Sequence, residues 1–349
     1  MSPFFQPAEW LPHRACWLAF PSHEDLWGDL LPQVRSEFAA LCRAIADPDP
    51  VTGQCRGEQL KILVLDEVGE ATARSYLGDL NPQFYQLPFG DIWLRDTAPV
   101  GLINEAGERR LLCLPFNGWG KKYQLPGDSD LAVRLALAIG LPYGAVPLFL
   151  EGGAIEVDGE GTCLTTRQCL LNPNRNPYLD SEEVEARLKP ALGVSKILWI
   201  ESGLANDHTA GLANDHTDGH IDTLVRFVAP ATVVCMLPDS PEDPNYDVLL
   251  TIYEQLQTLT DAKGRSLEVI PVPSPGRVTS RKGEILPASY VNFYIANTTV
   301  VVPTYGVEAD AKAVEAIAKL FPSRRTVGLP ARMILEGGGA FHCITQQEL

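Results

Sequence analysis

The rhythm of apolar runs limits what this chain can fold into more than any other feature of its 349 residues. Apolar residues at helical spacing recur over 31–47, where Val34, Phe38, Leu41 and Ile45 share a face. Further helices are expected at 129–139, with Asp128 or Ser129 as cap, and at 181–192, 246–260 and 308–320. Between them lie strand-like runs at 61–66, 154–157, 196–200, 222–228, 232–237, 267–272, 290–296 and 299–302. Successive helices are separated by more than one strand, which is denser in strands than simple βαβ alternation. The pattern predicts an α/β fold built from a repeated strand–strand–helix–strand module. No linker or low-complexity stretch interrupts it, so 1–349 reads as a single domain.

A short internal echo supports a repeat. Residues 149–155 read F-L-E-G-G-A-I and residues 334–341 read I-L-E-G-G-G-A-F. Two copies of one glycine turn would aim equivalent strand ends at a shared centre, bringing Glu151 to the same cavity as Cys343. The second copy matters most for chemistry. Three glycines allow close backbone approach, so Cys343 is expected on a short, exposed strand presented to a ligand.

Bulk properties narrow the function. The eight cysteines form no C-x-x-C pair and no regular spacing, which suggests reduced thiols and a cytoplasmic location rather than a zinc ribbon or disulfide framework. The start, M-S-P-F-F-Q-P-A-E-W, lacks the basic head and apolar run of a signal peptide. The most apolar window, 131–150, is broken by Arg134, Gly140, Pro142, Gly144 and Pro147, so no membrane partner is expected. A formal charge of −16 argues against nucleic acid and suits a small cationic substrate, although it also serves solubility.

Two further stretches carry titratable groups. In T-D-G-H-I-D at 217–222, an extended backbone would place Asp218, His220 and Asp222 on one face, two carboxylates flanking an imidazole as a general acid or base requires. His216 and His220 are spaced as zinc ligands on a helix, but Thr217, Asp218 and Gly219 between them are poor helix formers. In F-G-D-I-W-L-R-D-T-A-P at 89–99, an aromatic face and a carboxylate are placed to meet a planar cation. Arg95 has Asp91 and Asp96 nearby in sequence as alternative internal partners.

Seven segments, taken together, resemble agmatine deiminase in order from end to end: P-A-E-W-L-P-H at 7–13, W-L-R-D-T-A-P at 93–99, F-N-G-W-G at 116–120, L-E-G-G at 150–153, T-D-G-H-I-D at 217–222, S-Y-V-N-F-Y-I-A-N at 289–297 and the terminal G-G-G-A-F-H-C-I-T-Q-Q. The resemblance implies the pentein or α/β-propeller fold, five pseudo-repeated modules around a central channel. It implies Cys343 as nucleophile, His220 as the catalytic histidine, Asp96 and Asp222 as the carboxylates that hold a guanidinium, and Glu151 beside the histidine. Trp93, Trp119 and Asp218 are implied as substrate-binding residues. No metal or organic cofactor is implied, and a homo-oligomer is. A guanidinium is a planar fork of donors, which paired carboxylates grip without removing its proton.

The chain departs from the family pattern in three places. Ala340 and Phe341 precede His342-Cys343 where Asn and Ile are usual, and Thr304-Tyr305 replace Gln-Phe. An eight-residue tandem duplication reads G-L-A-N-D-H-T-A at 203–210 and G-L-A-N-D-H-T-D at 211–218, the second copy running into Gly219-His220. Doubling a loop costs only about 0.6 kcal/mol of closure entropy, but this one abuts the catalytic motif. Three alternatives remain: a deiminase of another guanidine such as peptidyl C-terminal arginine, a silent pentein used as a binding protein, and a metal hydrolase using His208, His216 and His220. A silent pentein would be expected to lack the Cys, His and Asp set.

Overall fold

The computed structural model describes residues 3–204 and 216–349. Its sixteen strands are β1 (Ala15–Ala19), β2 (Gln59–Val64), β3 (Gln83–Gln86), β4 (Val100–Ile103), β5 (Arg109–Cys113), β6 (Tyr143–Ala145), β7 (Glu156–Val157), β8 (Thr162–Thr166), β9 (Lys196–Ile200), β10 (Val225–Ala229), β11 (Thr232–Leu237), β12 (Glu268–Pro273), β13 (Tyr294–Ile295), β14 (Thr299–Thr304), β15 (Arg325–Pro330) and β16 (Gln346–Glu348). Among the described residues they form five small sheets, four of them three-stranded. Each three-stranded sheet is built alike. A first strand pairs antiparallel with a second, which pairs parallel with a third, as in β7–β8–β9 and β10–β11–β12. A parallel pair cannot be joined by a tight hairpin, so each second-to-third connection carries a helix: Leu131–Ile139, Ser181–Leu192, Tyr246–Leu256 and Asp310–Leu320.

The remaining sheet shows how the ring closes. Its order is β16-β1-β2-β3, with helix Leu31–Ala46 between β1 and β2. The C-terminal strand runs antiparallel to β1, with Ala15 opposite Glu348 and Trp17 opposite Gln346. The end of the chain thus supplies the antiparallel member that the first module would otherwise lack. This is the five-module α/β-propeller expected from the sequence. Val34, Phe38, Leu41 and Ile45 are all fully buried against it, as their spacing predicts.

Strands β1, β3, β4, β5, β6, β8, β15 and β16 and helix Glu67–Leu77 have no counterpart in the sequence expectation, and three of the expected strands change near the centre. The run at 154–157 opens as a 3-10 turn at Gly152–Ala154, leaving only Glu156–Val157 as strand. The run at 222–228 opens as a 3-10 turn at Ile221–Thr223, and that at 290–296 pairs only at Tyr294–Ile295. In each case the half nearer the centre leaves the ladder, and Glu151, Asp222 and Asn292 are buried at those ends. Helix Leu131–Ile139 begins without a side-chain cap, because the Asp128 carboxylate instead accepts the Gly90 N–H at 2.7 Å. All eight cysteines are free. Among the described residues no helix is long and apolar enough to cross a membrane.

Candidate active site

Cys343 lies in a turn just before β16 rather than on an exposed strand, and it is only 7% exposed. Its Sγ accepts from Asn292 Nδ2 at 3.2 Å and lies 3.7 Å from Asp222 Oδ2. The glycines before it act through closeness. A Cβ on Gly339 would stand 2.7 Å from the Trp93 ring and 3.1 Å from Sγ, so only glycine lets the wall pass between them. Burial pushes the Cys343 thiol well above its ordinary range, and the Asp222 and Asp96 carboxylates push in the same direction.

The imidazole of His220 is buried at the start of the 3-10 turn. Residues 219–222 are not extended as expected. Gly219 has φ +86° and Asp218 φ +61°, so alternation does not order this stretch. The carboxylates that flank the imidazole come from elsewhere: Asp96 Oδ1 is 3.7 Å from Nδ1 and Glu151 Oε2 is 3.6 Å from Nε2. Burial alone would lower the His220 pKa, but Asp96, Cys169 and Glu151 overcome it and raise it well above the usual value, favouring imidazolium. Burial would likewise raise Glu151, yet Arg175, whose Nε lies 2.9 Å from both carboxylate oxygens, and His220 hold it down to about 2.

The two candidate guanidinium ligands are tuned in opposite directions. Asp96, on the one-turn helix Leu94–Thr97, accepts from Trp119 Nε1 at 2.8 Å and Gly153 N at 3.0 Å. Its pKa is raised, by burial first and then by Asp222 and Glu151, against the pull of His220. Asp222 overcomes its burial through His342, whose Nδ1 is 2.6 Å from Oδ2, and is lowered. Its Oδ1 has no hydrogen-bond partner among the described residues. Gly153 sits where these groups converge: a Cβ there would be 2.6 Å from His220 Nδ1, 3.0 Å from Asp96 Oδ1 and 3.2 Å from Asp222 Oδ2.

Above Cys343 opens a cavity of about 300 Å³. Its walls are aromatic and acidic, with Trp27, Trp93, Trp119 and Asp91 inside and Glu336 among its lining. Asp218 takes another place. Its carboxylate lies 2.5 Å from Arg175 Nη1 and 2.6 Å from Lys122 Nζ, which braces the loop ahead of His220. Arg95 pairs with neither Asp91 nor Asp96, but reaches Gln347 Oε1 at 2.7 Å and Glu9 Oε2 at 3.4 Å.

His216 does not join His220 in a chelating pair on a helix; its ring stacks on Tyr123 at 5.7 Å between centroids. His208 and most of the tandem duplication lie outside the described residues. Glu151, Cys169 and His220 do place ligand-type atoms within 4.8 Å of one another. There the Arg175 guanidinium already covers both oxygens of Glu151, and a second cation would meet its repulsion.

Reading by residue type missed Asn292, His342, Glu9 and Arg175. The first three lie inside motifs at 289–297, 336–347 and 7–13, so motif membership was their signal. Arg175 lies in N-P-N-R-N-P, outside those motifs, and nothing local marks it as the partner of Glu151.

Comparison with known proteins agrees with this architecture. Residues 5–348 match the family described as Porphyromonas-type peptidyl-arginine deiminase. A protein of Legionella pneumophila, strain Paris, provisionally named agmatine deiminase, is 38% identical over 348 residues, covering 99% of this chain and 95% of the relative. The solved agmatine deiminase of Enterococcus faecalis superposes with a TM-score of 0.89 at 32% identity, covering 99% of this chain and 95% of that one. The Pseudomonas aeruginosa enzyme DDAH, at 9% identity and a TM-score of 0.52 over 97% of this chain and 100% of that one, shares the pentein fold alone. The chain belongs to the Porphyromonas-type peptidyl-arginine deiminase family.

Proposed function

We propose that this protein is an agmatine deiminase, a single-domain hydrolase that converts the guanidinium of agmatine to a urea and releases ammonia. The observation that carries the reading is the convergence of Cys343, His220, Asp96 and Asp222 at the base of an acidic, aromatic cavity. Asp96 and Asp222 grip the guanidinium and hold its carbon before Sγ, so orientation and exclusion of water supply much of the rate. The buried thiol ionises, releasing its proton to solvent, when the cationic substrate offsets the two carboxylates that oppose thiolate. The thiolate attacks the guanidine carbon, giving a tetrahedral adduct. His220 gives its proton to one amino group, ammonia departs, and an amidino-cysteine remains. Water then adds, with neutral His220 taking one of its protons, and collapse expels the thiolate while the remaining hydroxyl proton passes to solvent, leaving N-carbamoylputrescine.

The wall of the cavity favours agmatine over peptidyl C-terminal arginine. A substrate carboxylate would want an arginine, whereas among the described residues the one cation lining the cavity is Lys282, opposed by Asp91, Asp96 and Glu336. Ammonia release from agmatine, arginine and a C-terminal-arginine peptide tests the reading, with Cys343→Ala and a variant lacking residues 203–210 alongside. Turnover of agmatine that survives EDTA and vanishes in Cys343→Ala is expected. Activity only in the deletion variant would locate a block in the duplication, and silence in both would overturn the enzymatic reading. Sedimentation of the purified chain tests the homo-oligomer that the resemblance implies, and cell fractionation tests the cytoplasmic location.

A further inference from the structure

Behind Cys343 a buried series of charged side chains leads away from Asp222. His342 Nδ1 lies 2.6 Å from Asp222 Oδ2, and Nε2 lies 2.8 Å from Glu9 Oε2. Glu9 in turn lies 3.0 Å from Arg226 Nη2 and 3.4 Å from Arg95 Nη2, and it accepts the Ile295 N–H at 2.9 Å. Arg226 continues to Glu156 Oε2 at 2.9 Å. His342, Asp222 and Arg226 are 1% exposed or less, and Glu9 and Glu156 no more than 7%. Interior groups of this kind persist only with specific partners, and removing one partner leaves its neighbour uncompensated.

We infer that His342 is a positioning residue for the guanidinium site: held by Glu9, it fixes the Asp222 carboxylate so that Oδ1 faces the substrate cation. The inference rests on the deiminase reading above. The geometry leaves Asp222 little freedom, since Oδ2 is engaged by His342 and by Asn292 Nδ2 at 3.2 Å, while Oδ1 has no hydrogen-bond partner among the described residues. The same histidine precedes Cys343 in the chain, and its N–H donates to the Asn292 backbone carbonyl at 3.1 Å. One imidazole therefore ties the acceptor to the turn that carries the thiol. The contrast between the two gripping carboxylates supports this. Asp96, whose imidazole neighbour His220 stands back at 3.7 Å, is pushed toward the neutral acid, whereas Asp222, with His342 at 2.6 Å, is held ionised. Glu9 comes from the N-terminal segment and Arg226 from β10, so this orientation is set by three separate parts of the ring.

A double-mutant cycle in the Cys343→Ala background tests the inference by agmatine binding, read calorimetrically so that turnover is not needed. His342→Gln, which can serve one of its two carboxylates but not both, is expected to weaken binding about tenfold or more. Asp222→Asn should weaken it at least as much, and adding His342→Gln to Asp222→Asn should cost less than about twofold more, because the two act as one unit. Fully additive losses would overturn the inference and leave His342 a general support of the fold. If His342→Gln does not give a folded protein by near-ultraviolet circular dichroism, Glu9→Gln replaces it in the same cycle with the same expected non-additivity. The cycle is repeated with guanidinium alone. Non-additive binding of guanidinium without binding of agmatine would sink the substrate reading and keep the positioning role; additivity with both ligands would sink the positioning role.

Discussion

Two glycine turns of nearly the same sequence occupy equivalent places in the ring and use their glutamates in opposite ways. Leu150-Glu151-Gly152-Gly153 precedes β7 and Leu335-Glu336-Gly337-Gly338 precedes β16, each leading into the antiparallel first strand of a module. Glu151 points inward, is 1% exposed and is locked between Arg175 and His220. Glu336 lines the cavity, where it accepts the Arg281 N–H at 3.1 Å and lies 3.5 Å from Arg332. The glycines diverge as well. Gly153 makes room among His220, Asp96 and Asp222, while Gly339 makes room between Trp93 and Cys343. One repeat has become the floor that holds charge, and the other the wall that delivers the thiol.

The sharpest break of this comparison is the same substitution in both copies. Glu151→Gln removes the anion from a buried Arg175 and a buried His220, and losing one partner of such a pair costs about 3–5 kcal/mol. A fall in kcat of at least about 100-fold with a clearly lower Tm is expected, because the group that orients and charges His220 is gone. Glu336→Gln keeps its acceptor for Arg281 and should cost about 1 kcal/mol or less, with a rate change of a few-fold at most. Ammonia release and thermal unfolding of the two variants check this; equal effects would erase the distinction between the copies.

The glycines give the next contrast. Gly153→Ala would put a methyl 2.6 Å from the His220 imidazole, and overpacking of this kind costs about 1–3 kcal/mol. Its expected signature is a loss of about 10- to 100-fold in kcat/KM with alkylation of Cys343 by iodoacetamide little altered. Gly339→Ala, which crowds Sγ itself, should change that alkylation rate directly. Peptide mapping by mass spectrometry reads Cys343 separately from the other cysteines.

Much of the fold was legible in the sequence, and the reason is physical. Strands β9 and β11 and helix Ser181–Leu192 fall at the residues expected, because each is a short apolar run with its own start and stop signals. What was not legible is of two kinds: strands β1, β3, β4, β5, β6, β8, β15 and β16 and helix Glu67–Leu77 have no counterpart in the expected pattern, and at the inner ends of the expected strands local pattern gives way to the demands of the centre. Alternation put Asp218 and Asp222 beside His220, but two positive-φ residues break the strand there, and the flanking carboxylates arrive from 69 and 124 residues away in sequence, as Glu151 and Asp96. Arg175 was invisible for the same reason, since its pairing with Glu151 depends on tertiary placement alone. The echo between the two glycine turns was the better guide, because it reports symmetry of the ring rather than local propensity.

A pH profile sharpens the contrast further. The raised His220 pKa means that its protonated form, favourable below the ordinary value near 6.5, persists as pH rises and is lost only through the higher folded value. The alkaline limb of kcat/KM should therefore lie above the ordinary histidine range. Glu151→Gln removes one of the groups that raise it, so the limb is expected to move down, while Glu336→Gln leaves it in place. A limb that stays fixed in Glu151→Gln would assign the protonation of His220 to Asp96 and Cys169 instead.

The smallest expected effect concerns the outer end of the cavity, where the second turn and its neighbours would meet the part of agmatine beyond the guanidinium. Asp91 accepts from the indole N–H of Trp27 at 2.9 Å and of Trp93 at 2.8 Å, so its carboxylate is fixed beneath two aromatic walls, and burial raises its pKa. An ammonium approaching this wall gains the carboxylate and the faces of the rings together, an attraction worth about 0.5–2 kcal/mol for the aromatic part. Pentylguanidine, with a methyl in place of the agmatine ammonium, keeps the reacting end and loses this attraction. In the unaltered protein agmatine should exceed pentylguanidine in kcat/KM, and Asp91→Asn should cut that preference by about tenfold while its effect on pentylguanidine is smaller. If both substrates fall together, Asp91 serves to hold Trp93 against the thiol, and the selectivity belongs to the Glu336 turn, where Glu336→Gln would then reduce the preference instead.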